Sequence, residues 1–315
     1  MKEIKFDLHI GNCLDVLKEL PGNYFHTCVT SPPYWGLRDY GTSGQLGLEE
    51  TPAEYVTSLV EVFKQVWRVL REDGTVWLNL GDSYYNYRPS LGQSMPKQTV
   101  SKTGQDLPQS NPRRANKING LKEKDLVGIP WRVALALQED GWYLRQDIIW
   151  HKPNPMPESV KDRCTKSHEY IFLLSKKPHY YFDSDAIKEE AVGERWGGNT
   201  PINKENSKDK DGVFSGLTRE RKMLSETRNK RSVWSVCPSA YKEAHFAVFP
   251  EELITPCILS GSPEYGNVLD PFGGSGTVGL TCKRHKRNIT LIELNPKYEK
   301  FIRSRYKEPV QDLLV

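Results

Sequence analysis

Long apolar runs and paired cysteines are both missing from this sequence of 315 residues. No segment approaches the run of about 18 apolar residues that a membrane-spanning helix needs. The N-terminal residues mix acids and bases where a secretory signal would have an apolar core, so we expect a cytoplasmic protein with no membrane partner. The six cysteines are scattered without a C-x-x-C pair, which argues against a disulfide framework or a zinc ribbon. We predict reduced, mostly buried thiols and no metal site.

The sequence also has little net charge, but that charge is unevenly distributed. The 44 basic and 40 acidic residues leave a formal charge of +4, which alone indicates no particular partner. Residues 86–124, however, contain eight basic and two acidic residues among many Ser, Gln, Asn, Pro and Gly. Such a segment cannot bury enough apolar surface to hold a fixed fold by itself. We therefore predict a basic flexible loop over residues 86–125.

The rest of the chain alternates short apolar strands with amphipathic helices. This alternation predicts an α/β fold in which helices cover both faces of a mostly parallel, twisted sheet. The clearest helix signal is Thr51-Pro52-Ala53-Glu54, a capping box with proline at the first helical position, and we predict that Asp73-Gly74 ends this helix. Trp131, Trp142 and Trp150 are expected in the core. The predicted strands are residues 5–10, 26–30, 75–80, 142–150, 169–174, 179–182, 267–269 and 288–292.

A glycine-rich turn with the sequence DPFGGSGT joins a predicted strand to a predicted helix at residues 270–277. Glycines in this position let the backbone approach a ligand closely at the carboxyl end of a strand. Glu293 ends the next strand, 23 positions after Asp270, where an acid can accept hydrogen bonds from both hydroxyls of a ribose. Because the turn lacks the lysine and spacing of a phosphate-binding loop, it favours an uncharged or zwitterionic nucleoside. The alternative is a tight turn that binds no ligand.

A second turn, Ser31-Pro32-Pro33-Tyr34, also follows a predicted strand and therefore belongs on the same edge of the sheet. Two adjacent prolines cannot sit in the middle of a ladder, because they lack N–H donors. They leave carbonyl oxygens and the Ser31 hydroxyl as acceptors, which suits a substrate amino group. Tyr34 can stack on a planar base. The alternative is a rigid turn whose aromatic side chains pack in the core.

Together, the TSPPYW and DPFGGSGT turns resemble the motifs of the beta-class DNA amino-methyltransferases, in which the catalytic motif precedes the cofactor motif. The resemblance covers nearly the whole chain apart from residues 86–124 and about 184–236. It implies a Rossmann-like methyltransferase fold with a variable target-recognition region, and S-adenosyl-L-methionine as the cofactor. Asn12 stands where the family usually has an aspartate, and its amide oxygen can still accept a hydrogen bond. The candidate cofactor-binding residues are Asn12, Cys13, Phe249, Asp270, Phe272, Gly273, Gly274, Ser275, Gly276, Thr277, Glu293 and Asn295.

The resemblance further implies methyl transfer to the exocyclic amino group of a base flipped out of duplex DNA. In the family, a serine at position 31 tends to accompany methylation of cytosine at N4 and an aspartate there tends to accompany adenine N6. We therefore predict N4-cytosine methylation, with N6-adenine methylation as the alternative. Two other classes stay open, a catalytically silent DNA-binding relative and a methyltransferase of RNA or small molecules. The candidate catalytic residues are Ser31, Pro32, Pro33, Tyr34 and Asp82, the last as an assisting acceptor or as a simple turn residue.

Double-stranded DNA is the expected partner, and the family suggests a cognate restriction endonuclease as a second one. The basic loop is typical of a segment that contacts phosphates, and the family's variable recognition region falls near residues 219–231. Ion pairs with Glu220 and Glu226 on a solvated helix are the alternative there. We expect a monomer or a homodimer. The candidate DNA-binding residues are Arg113, Arg114, Lys117, Arg219, Arg221, Lys222, Arg228 and Arg231.

These expectations divide the chain into six segments. Residues 245–251 (HFAVFPE) resemble the family element that completes the methionine end of the cofactor pocket. The segments are 1–85, the catalytic half of the fold; 86–125, the basic loop; 126–183, the continuation of the sheet; 184–244, the target-recognition region; 245–308, the cofactor-binding half; and 309–315, a tail.

Overall fold

The computed structural model describes residues 3–37, 39–85, 118–191, 227–238 and 249–307. None of its helices is long and apolar enough to cross a membrane. Its strands are β1 (Phe6–Ile10), β2 (Phe25–Thr30), β3 (Leu70–Leu80), β4 (Tyr143–His151), β5 (His168–Ser175), β6 (Glu189–Glu190), β7 (Thr227–Arg228), β8 (Val233–Ser235), β9 (Asn267–Asp270) and β10 (Asn288–Glu293). Its α-helices are α1 (Cys13–Glu19), α2 (Pro52–Val69), α3 (Ile129–Glu139), α4 (Glu251–Gly261), α5 (Thr277–Arg284) and α6 (Glu299–Lys307).

Eight of these strands form one sheet in the order β1-β10-β9-β2-β3-β5-β4-β8. Neighbouring strands are parallel except at β5, which runs antiparallel to both β3 and β4. The predicted α/β fold with a mostly parallel sheet is therefore confirmed. From β2 the chain continues outward to β3, and from β9 it continues outward to β10 on the other side. A crevice for ligands is expected at such a reversal of strand order, here between the carboxyl ends of β2 and β9.

Helices cover both faces of the sheet, as the alternation predicts. Along β3, Val76, Leu78 and Leu80 pack in one apolar cluster with residues of α2 and α3. Trp77 belongs to a second cluster, which includes residues of α4 and α5. This division follows from the period of two residues with which strand side chains alternate between faces.

The end of α2 differs from the prediction. The helix ends at Val69 and β3 begins at the next residue, so Asp73-Gly74 lies within the strand. The register between β2 and β3 shifts at this point. A Cβ atom on Gly74 would lie 3.0 Å from the carbonyl oxygen of Arg71 and 3.2 Å from that of His26. Gly74 therefore allows a bulge in the strand and does not end a helix.

Residues 179–182, predicted as a strand, form no ladder, so that prediction is wrong. The Tyr181 N–H donates to the Asp73 carbonyl at 2.9 Å, and the Asp183 N–H donates to the Ser260 carbonyl at the same distance. The segment thus passes from the edge of β3 to helix α4. Residues 179–182 read HYYF, and so short a run of aromatic residues cannot distinguish such a crossing from a strand.

The predicted burial of tryptophans and thiols is confirmed in part. Trp142 and Trp150 are 2% and 4% exposed, whereas Trp131 is 38% exposed. Trp131 lies at the start of α3, where its ring packs edge-on against Phe172 and leaves the rest of the ring uncovered. All six cysteines are free thiols: Cys28, Cys257 and Cys282 are buried, Cys13 is half-buried, and Cys164 and Cys237 are exposed.

Candidate active site

The two turns singled out in the sequence lie side by side at the crevice between β2 and β9. Cys28 of β2 pairs with Leu269 of β9. The Thr30 hydroxyl donates a 2.6 Å hydrogen bond to Oδ1 of Asp270, across 240 positions of sequence. Parallel pairing brings the carboxyl ends of the two strands to one edge, and the turns that follow them therefore share a site.

A cavity of about 340 Å³ opens between these turns. This volume falls in the range of about 300–1,000 Å³ that is usual for small-molecule sites. Gly276 and Asp82 are not among the described residues that line it. The sequence-predicted residues that do line it are Asn12, Cys13, Ser31, Pro32, Pro33, Tyr34, Phe249, Asp270, Phe272, Gly273, Gly274, Ser275, Thr277, Glu293 and Asn295.

Glu293 organises the glycine turn from the end of β10. Its Oε2 accepts the Gly274 N–H at 2.7 Å, and its Oε1 accepts the Asn295 N–H at 2.8 Å. Glu293 is 8% exposed, and burial raises the pKa of its carboxyl. Each carboxylate oxygen has a second lone pair. Both oxygens can therefore accept a further hydrogen bond from two adjacent hydroxyls of a ligand.

The two adjacent glycines of the turn are required for different reasons. Gly274 has a φ of +51°, and the atom nearest to a Cβ there would be the Phe272 carbonyl oxygen at 3.8 Å, so the space beside it is open. A Cβ on Gly273 would lie 3.2 Å from the Ile292 carbonyl oxygen. Gly273 thus permits close packing on β10, whereas Gly274 leaves the cavity wall free for a ligand.

Asp270 joins the two turns. Its Oδ1 accepts the Thr30 hydroxyl and, at 3.0 Å, the Phe272 N–H. Burial raises the pKa of this carboxyl to about 7, although its hydrogen bonds from Thr30 and Phe272 act in the opposite direction. These contacts fix the position of the glycine turn relative to the Ser31 turn.

Gly276 does not line the cavity, and the contacts that the structure shows for it are structural. It precedes α5 with a φ of +76°, and a Cβ there would lie 2.9 Å from Cγ2 of Ile302 in α6. From the same helix, Arg305 donates to the carbonyl oxygen of Ser275 at 3.1 Å and to Oγ1 of Thr277 at 2.9 Å. Helix α6, which the sequence pattern did not reveal, therefore supports the glycine turn from the side away from the cavity.

The start of α1 forms another part of the wall. Oδ1 of Asn12 accepts the Leu14 N–H at 2.9 Å, so this residue caps the helix. The Gly11 N–H donates to the Glu293 carbonyl at 2.9 Å, which ties the cap to the end of β10. Burial raises the pKa of Cys13 to about 12, so its side chain packs as a neutral thiol. The Asn12 oxygen retains one lone pair for a ligand.

A cluster of polar side chains lies next to Ser31. The Ser31 hydroxyl donates to Oη of Tyr34 at 3.3 Å, and the Tyr34 hydroxyl donates to Oε2 of Glu169 at 2.7 Å. Lys152 forms an ion pair with the other carboxylate oxygen of Glu169. Oδ1 of Asn79 is a second acceptor for the Tyr34 hydroxyl, at 3.1 Å. Asn79, Lys152 and Glu169 all line the cavity, and the sequence alone predicts a functional role for none of them.

Glu169 reaches this edge of the sheet because β5 runs antiparallel. Glu169, near the start of β5, pairs with Trp150 near the end of β4, and Tyr170 pairs with Leu80 at the end of β3. The amino end of β5 thus lies beside the carboxyl ends of its neighbours. A signal for Asn79 and Glu169 was present: Asn79 is the one polar residue among residues 76–80, and Glu169 directly precedes the apolar residues 170–174.

The structure does not bring Asp82 to the cavity, so the role of assisting acceptor has no support. Its Oδ1 accepts three backbone N–H groups, from Ser83 at 2.9 Å, Gly128 at 3.0 Å and Ile129 at 3.1 Å. Helix α3 has glycine at its N-cap and therefore lacks a side-chain cap of its own. Asp82 supplies that cap from the end of β3, in agreement with the alternative of a turn residue.

Two of the candidate DNA-binding residues belong to the described part of the chain. Nε of Arg228 and Nε of Arg231 lie 2.9 and 2.6 Å from Oε1 of Glu189. The alternative prediction for this region was ion pairing with Glu220 and Glu226. Ion pairs are observed, but their acid is Glu189. The Arg231 side chain is nevertheless 67% exposed. Arg113, Arg114, Lys117, Arg219, Arg221 and Lys222 lie outside the described residues.

Comparison with known proteins adds independent information. The N6/N4 DNA methylase family model matches residues 25–304. The chain is 46% identical over 294 residues to Type II methyltransferase M.Cfr9I of Citrobacter freundii, and this alignment covers 91% of this chain and 83% of that protein. It is 43% identical over 296 residues to M.SmaI of Serratia marcescens, with coverages of 94% and 89%. The structure of PvuII DNA methyltransferase (cytosine-N4-specific) matches with a TM-score of 0.64 at 18% identity, over 98% of this chain and 88% of that one. At such identity the last comparison supports the fold alone.

Proposed function

We propose that this chain, which belongs to the N6/N4 DNA methylase family, transfers a methyl group from S-adenosylmethionine to the N4 amino group of a cytosine in duplex DNA. The chain is a DNA methyltransferase, and S-adenosylmethionine is its methyl donor. The observation that carries the proposal is that one cavity is lined by both the Ser31 turn and the glycine turn. One turn offers acceptors to an amino group and the other suits a nucleoside, so the two reactants would lie side by side.

The glycine side of the cavity fits the nucleoside end of the methyl donor. The free lone pairs of Glu293 suit two adjacent ribose hydroxyls, and the open space beside Gly274 lets a ligand approach the backbone. Asn12 and Phe249 also line the cavity and would contact the rest of the nucleoside and its chain. When bound, S-adenosylmethionine supplies a methyl group on a positively charged sulfur. The protein therefore needs only to hold that group in line with the attacking nitrogen.

Ser31 and Pro32 would act on the target amine. An exocyclic amine is a poor nucleophile, because its lone pair is delocalised into the ring. The Ser31 hydroxyl and the Pro32 carbonyl can accept hydrogen bonds from its two N–H groups and so favour a nitrogen geometry in which the lone pair is free to attack. As the bond from nitrogen to the methyl carbon forms, the bond from that carbon to sulfur breaks, and the nitrogen releases one of its two protons to solvent. Flipping the base out of the duplex costs a few kcal/mol, which stacking on Tyr34 would offset. No covalent bond to the protein is required.

The serine at position 31 supports cytosine as the target base, and product analysis tests this assignment. Unmodified duplex DNA, single-stranded DNA and RNA are incubated separately with the protein and labelled S-adenosylmethionine, and the nucleosides are then separated. We expect N4-methylcytosine from the duplex. N6-methyladenine would overturn the cytosine assignment alone, and label only in RNA would overturn the substrate class. Mapping the modified bases in DNA from expressing cells then gives the recognition sequence.

We further propose that residues 86–125 contact DNA phosphates and that residues 184–244 recognise the target sequence. Residues 1–85 and 126–183 would form the catalytic half, residues 245–308 the cofactor half, and residues 309–315 a tail. The exposed guanidinium of Arg231 supports a contact with DNA in the recognition segment. The enzyme would act in the cytoplasm, as a monomer or homodimer, beside a cognate endonuclease of the kind with which Type II methyltransferases are paired.

Replacing Arg113, Arg114 and Lys117 together by glutamine is expected to weaken binding to every DNA sequence. Each lost phosphate contact reduces the slope of log affinity against log salt by about 0.9, so three contacts predict a reduction of about 2.7. Fluorescence anisotropy across a salt series measures this slope. A control variant replaces three exposed lysines outside the loop by glutamine: Lys18 of α1, Lys64 of α2 and Lys177, which follows β5. This control should keep the wild-type slope. An unaltered slope in the loop variant would make the loop a solvated linker.

A further inference from the structure

The hydrogen bonds around Tyr34 all donate in the same direction, from Ser31 to Tyr34 and from Tyr34 to Glu169 and Asn79. A tyrosine hydroxyl has a single proton to donate. Two acceptors face it, Oε2 of Glu169 at 2.7 Å and Oδ1 of Asn79 at 3.1 Å. The shorter bond, to the charged acceptor, is the stronger one. The proton of Tyr34 is therefore directed away from Ser31.

The neighbours of Asn79 determine which way its amide faces. Nδ2 donates to the Tyr170 carbonyl at 3.1 Å and to Oε2 of Glu169 at 3.3 Å. A carbonyl and a carboxylate can only accept, so the amide oxygen must face Tyr34. Lys152 pairs with Oε1 of Glu169, and the two side chains are 20% and 16% exposed. This partly buried ion pair holds the carboxylate beneath the tyrosine hydroxyl.

Ser31 must then be the donor in its contact with Tyr34. Its only hydroxyl proton is used in the 3.3 Å bond to Oη of Tyr34, which leaves the two lone pairs of Oγ for the substrate. Pro32 has no N–H and adds only a carbonyl oxygen. Burial, and then the nearby charge of Glu169, raise the pKa of Tyr34 well above its usual value. The tyrosine thus stays protonated and the direction of the bonds is maintained.

Close packing fixes the tyrosine in this position. A Cβ on Gly81 would lie 2.5 Å from Cε2 of Tyr34 and 3.3 Å from Cδ of Glu169, so the glycine makes room for both side chains. The groups of the cluster come from the turn after β2, from β3, from β5 and from the end of β4, which are successive neighbours in the sheet. Their mutual orientation is therefore set by the sheet itself.

We propose that the Tyr34 hydroxyl, held by Glu169 and Asn79, orients Ser31 so that the site accepts an amino group on the target base and rejects a carbonyl group at the same position. The N4 amine of cytosine donates to the free lone pairs of Ser31. The O4 carbonyl of uracil would meet those lone pairs with no proton between the two oxygens, which leaves buried acceptors unsatisfied. The inference rests on the proposed function only in that the target carries an amino group. Tyr34 is thus a positioning residue through its hydroxyl, independently of any stacking by its ring.

The experiment compares two duplexes that carry cytosine or uracil at the mapped target position, each opposite an abasic site. Neither base is then paired, so the cost of flipping is nearly the same for both. Dissociation constants are measured with S-adenosylhomocysteine in place of the methyl donor. We expect the wild type to bind the cytosine duplex about tenfold more tightly or better. Tyr34→Phe keeps the ring and frees the Ser31 proton to turn toward O4, and should lower this ratio to below about threefold.

Two further variants separate this role from general damage to the fold. Glu169→Gln should give an intermediate ratio, because Asn79 still accepts the Tyr34 proton. Tyr55→Phe is the matched control: Tyr55 is buried, and its hydroxyl donates to the Pro33 carbonyl in the same turn at 2.8 Å. Its loss should cost stability and leave the cytosine-to-uracil ratio at the wild-type value.

Two results would overturn the inference: a wild type that binds both duplexes equally, or a Tyr34→Phe variant that keeps the wild-type ratio. Either result can be told apart from failure of the proposed function, which is judged by the methylated product. If the enzyme forms N4-methylcytosine but binds the cytosine and uracil duplexes equally, the proposed function stands and only the inference about Tyr34 is wrong. If the product is N6-methyladenine, adenine and hypoxanthine replace cytosine and uracil in the same comparison.

Discussion

A Ser31→Ala variant is expected to retain binding of S-adenosylmethionine and duplex DNA and to methylate about 100-fold more slowly or worse. In the proposed complex, Oγ of Ser31 contacts only the reacting amino group. Its loss therefore affects the chemical step and leaves the ground-state complex largely intact. Tyr34 stays in place in the variant, because Glu169 and Asn79 still hold its hydroxyl. Single-turnover kinetics with saturating DNA measure the rate.

Tyr34→Ala provides the contrasting variant. Its ring is proposed to stack on the whole base, so its removal should chiefly weaken capture of the flipped base, by about 1–3 kcal/mol. A fluorescent base analogue at the target position reports flipping, separately from methyl transfer. If Ser31→Ala methylates at the wild-type rate, the Pro32 carbonyl suffices and the assignment of Ser31 is wrong.

A Gly274→Asp variant is expected to lose measurable affinity for S-adenosylmethionine while its fold remains largely intact. At this position φ is +51°, and the Phe272 carbonyl oxygen, 3.8 Å away, is the atom that an added Cβ would approach most closely outside the adjoining residues. Aspartate tolerates the left-handed region better than most residues, so little strain is expected. The new carboxylate would occupy the space needed by the nucleoside, next to Glu293, which accepts the Gly274 N–H at 2.7 Å. Calorimetry measures the affinity, and thermal unfolding measures the stability.

Two other glycines serve as controls for this experiment. Gly120 also has a positive φ, +86°, and open space around an added Cβ, so Gly120→Asp should keep the wild-type affinity. Gly276→Ala should instead lower Tm, because its Cβ would crowd Ile302 at 2.9 Å, and its folded fraction should still bind. Unchanged affinity in Gly274→Asp would remove the glycine turn from the cofactor site.

Local chemistry accounts for the features that could be predicted from the chain alone. The Thr51 capping box forms as expected, with the Glu54 N–H on the threonine hydroxyl at 3.2 Å and the Thr51 N–H on the glutamate at 3.0 Å. The two prolines end β2 because they cannot donate to a neighbouring strand. The alternation of strands and helices then indicates a mostly parallel sheet. That class of sheet is sufficient to place the turns after β2 and β9 on one edge.

Long-range pairing decided the remainder. Glu169 lies 135 positions from Tyr34 in the chain, and it reaches the cavity only because β5 runs antiparallel to its neighbours. Asp73-Gly74 and Gly276 both look like local punctuation in the sequence, yet one lies in a strand bulge and the other under α6. Asp82 follows the end of a strand, as a catalytic acid could, but its carboxylate accepts hydrogen bonds from the backbone at the start of α3. A residue's local pattern specifies the element that it belongs to, whereas its partners depend on strand direction and on packing between distant segments, which no local pattern encodes.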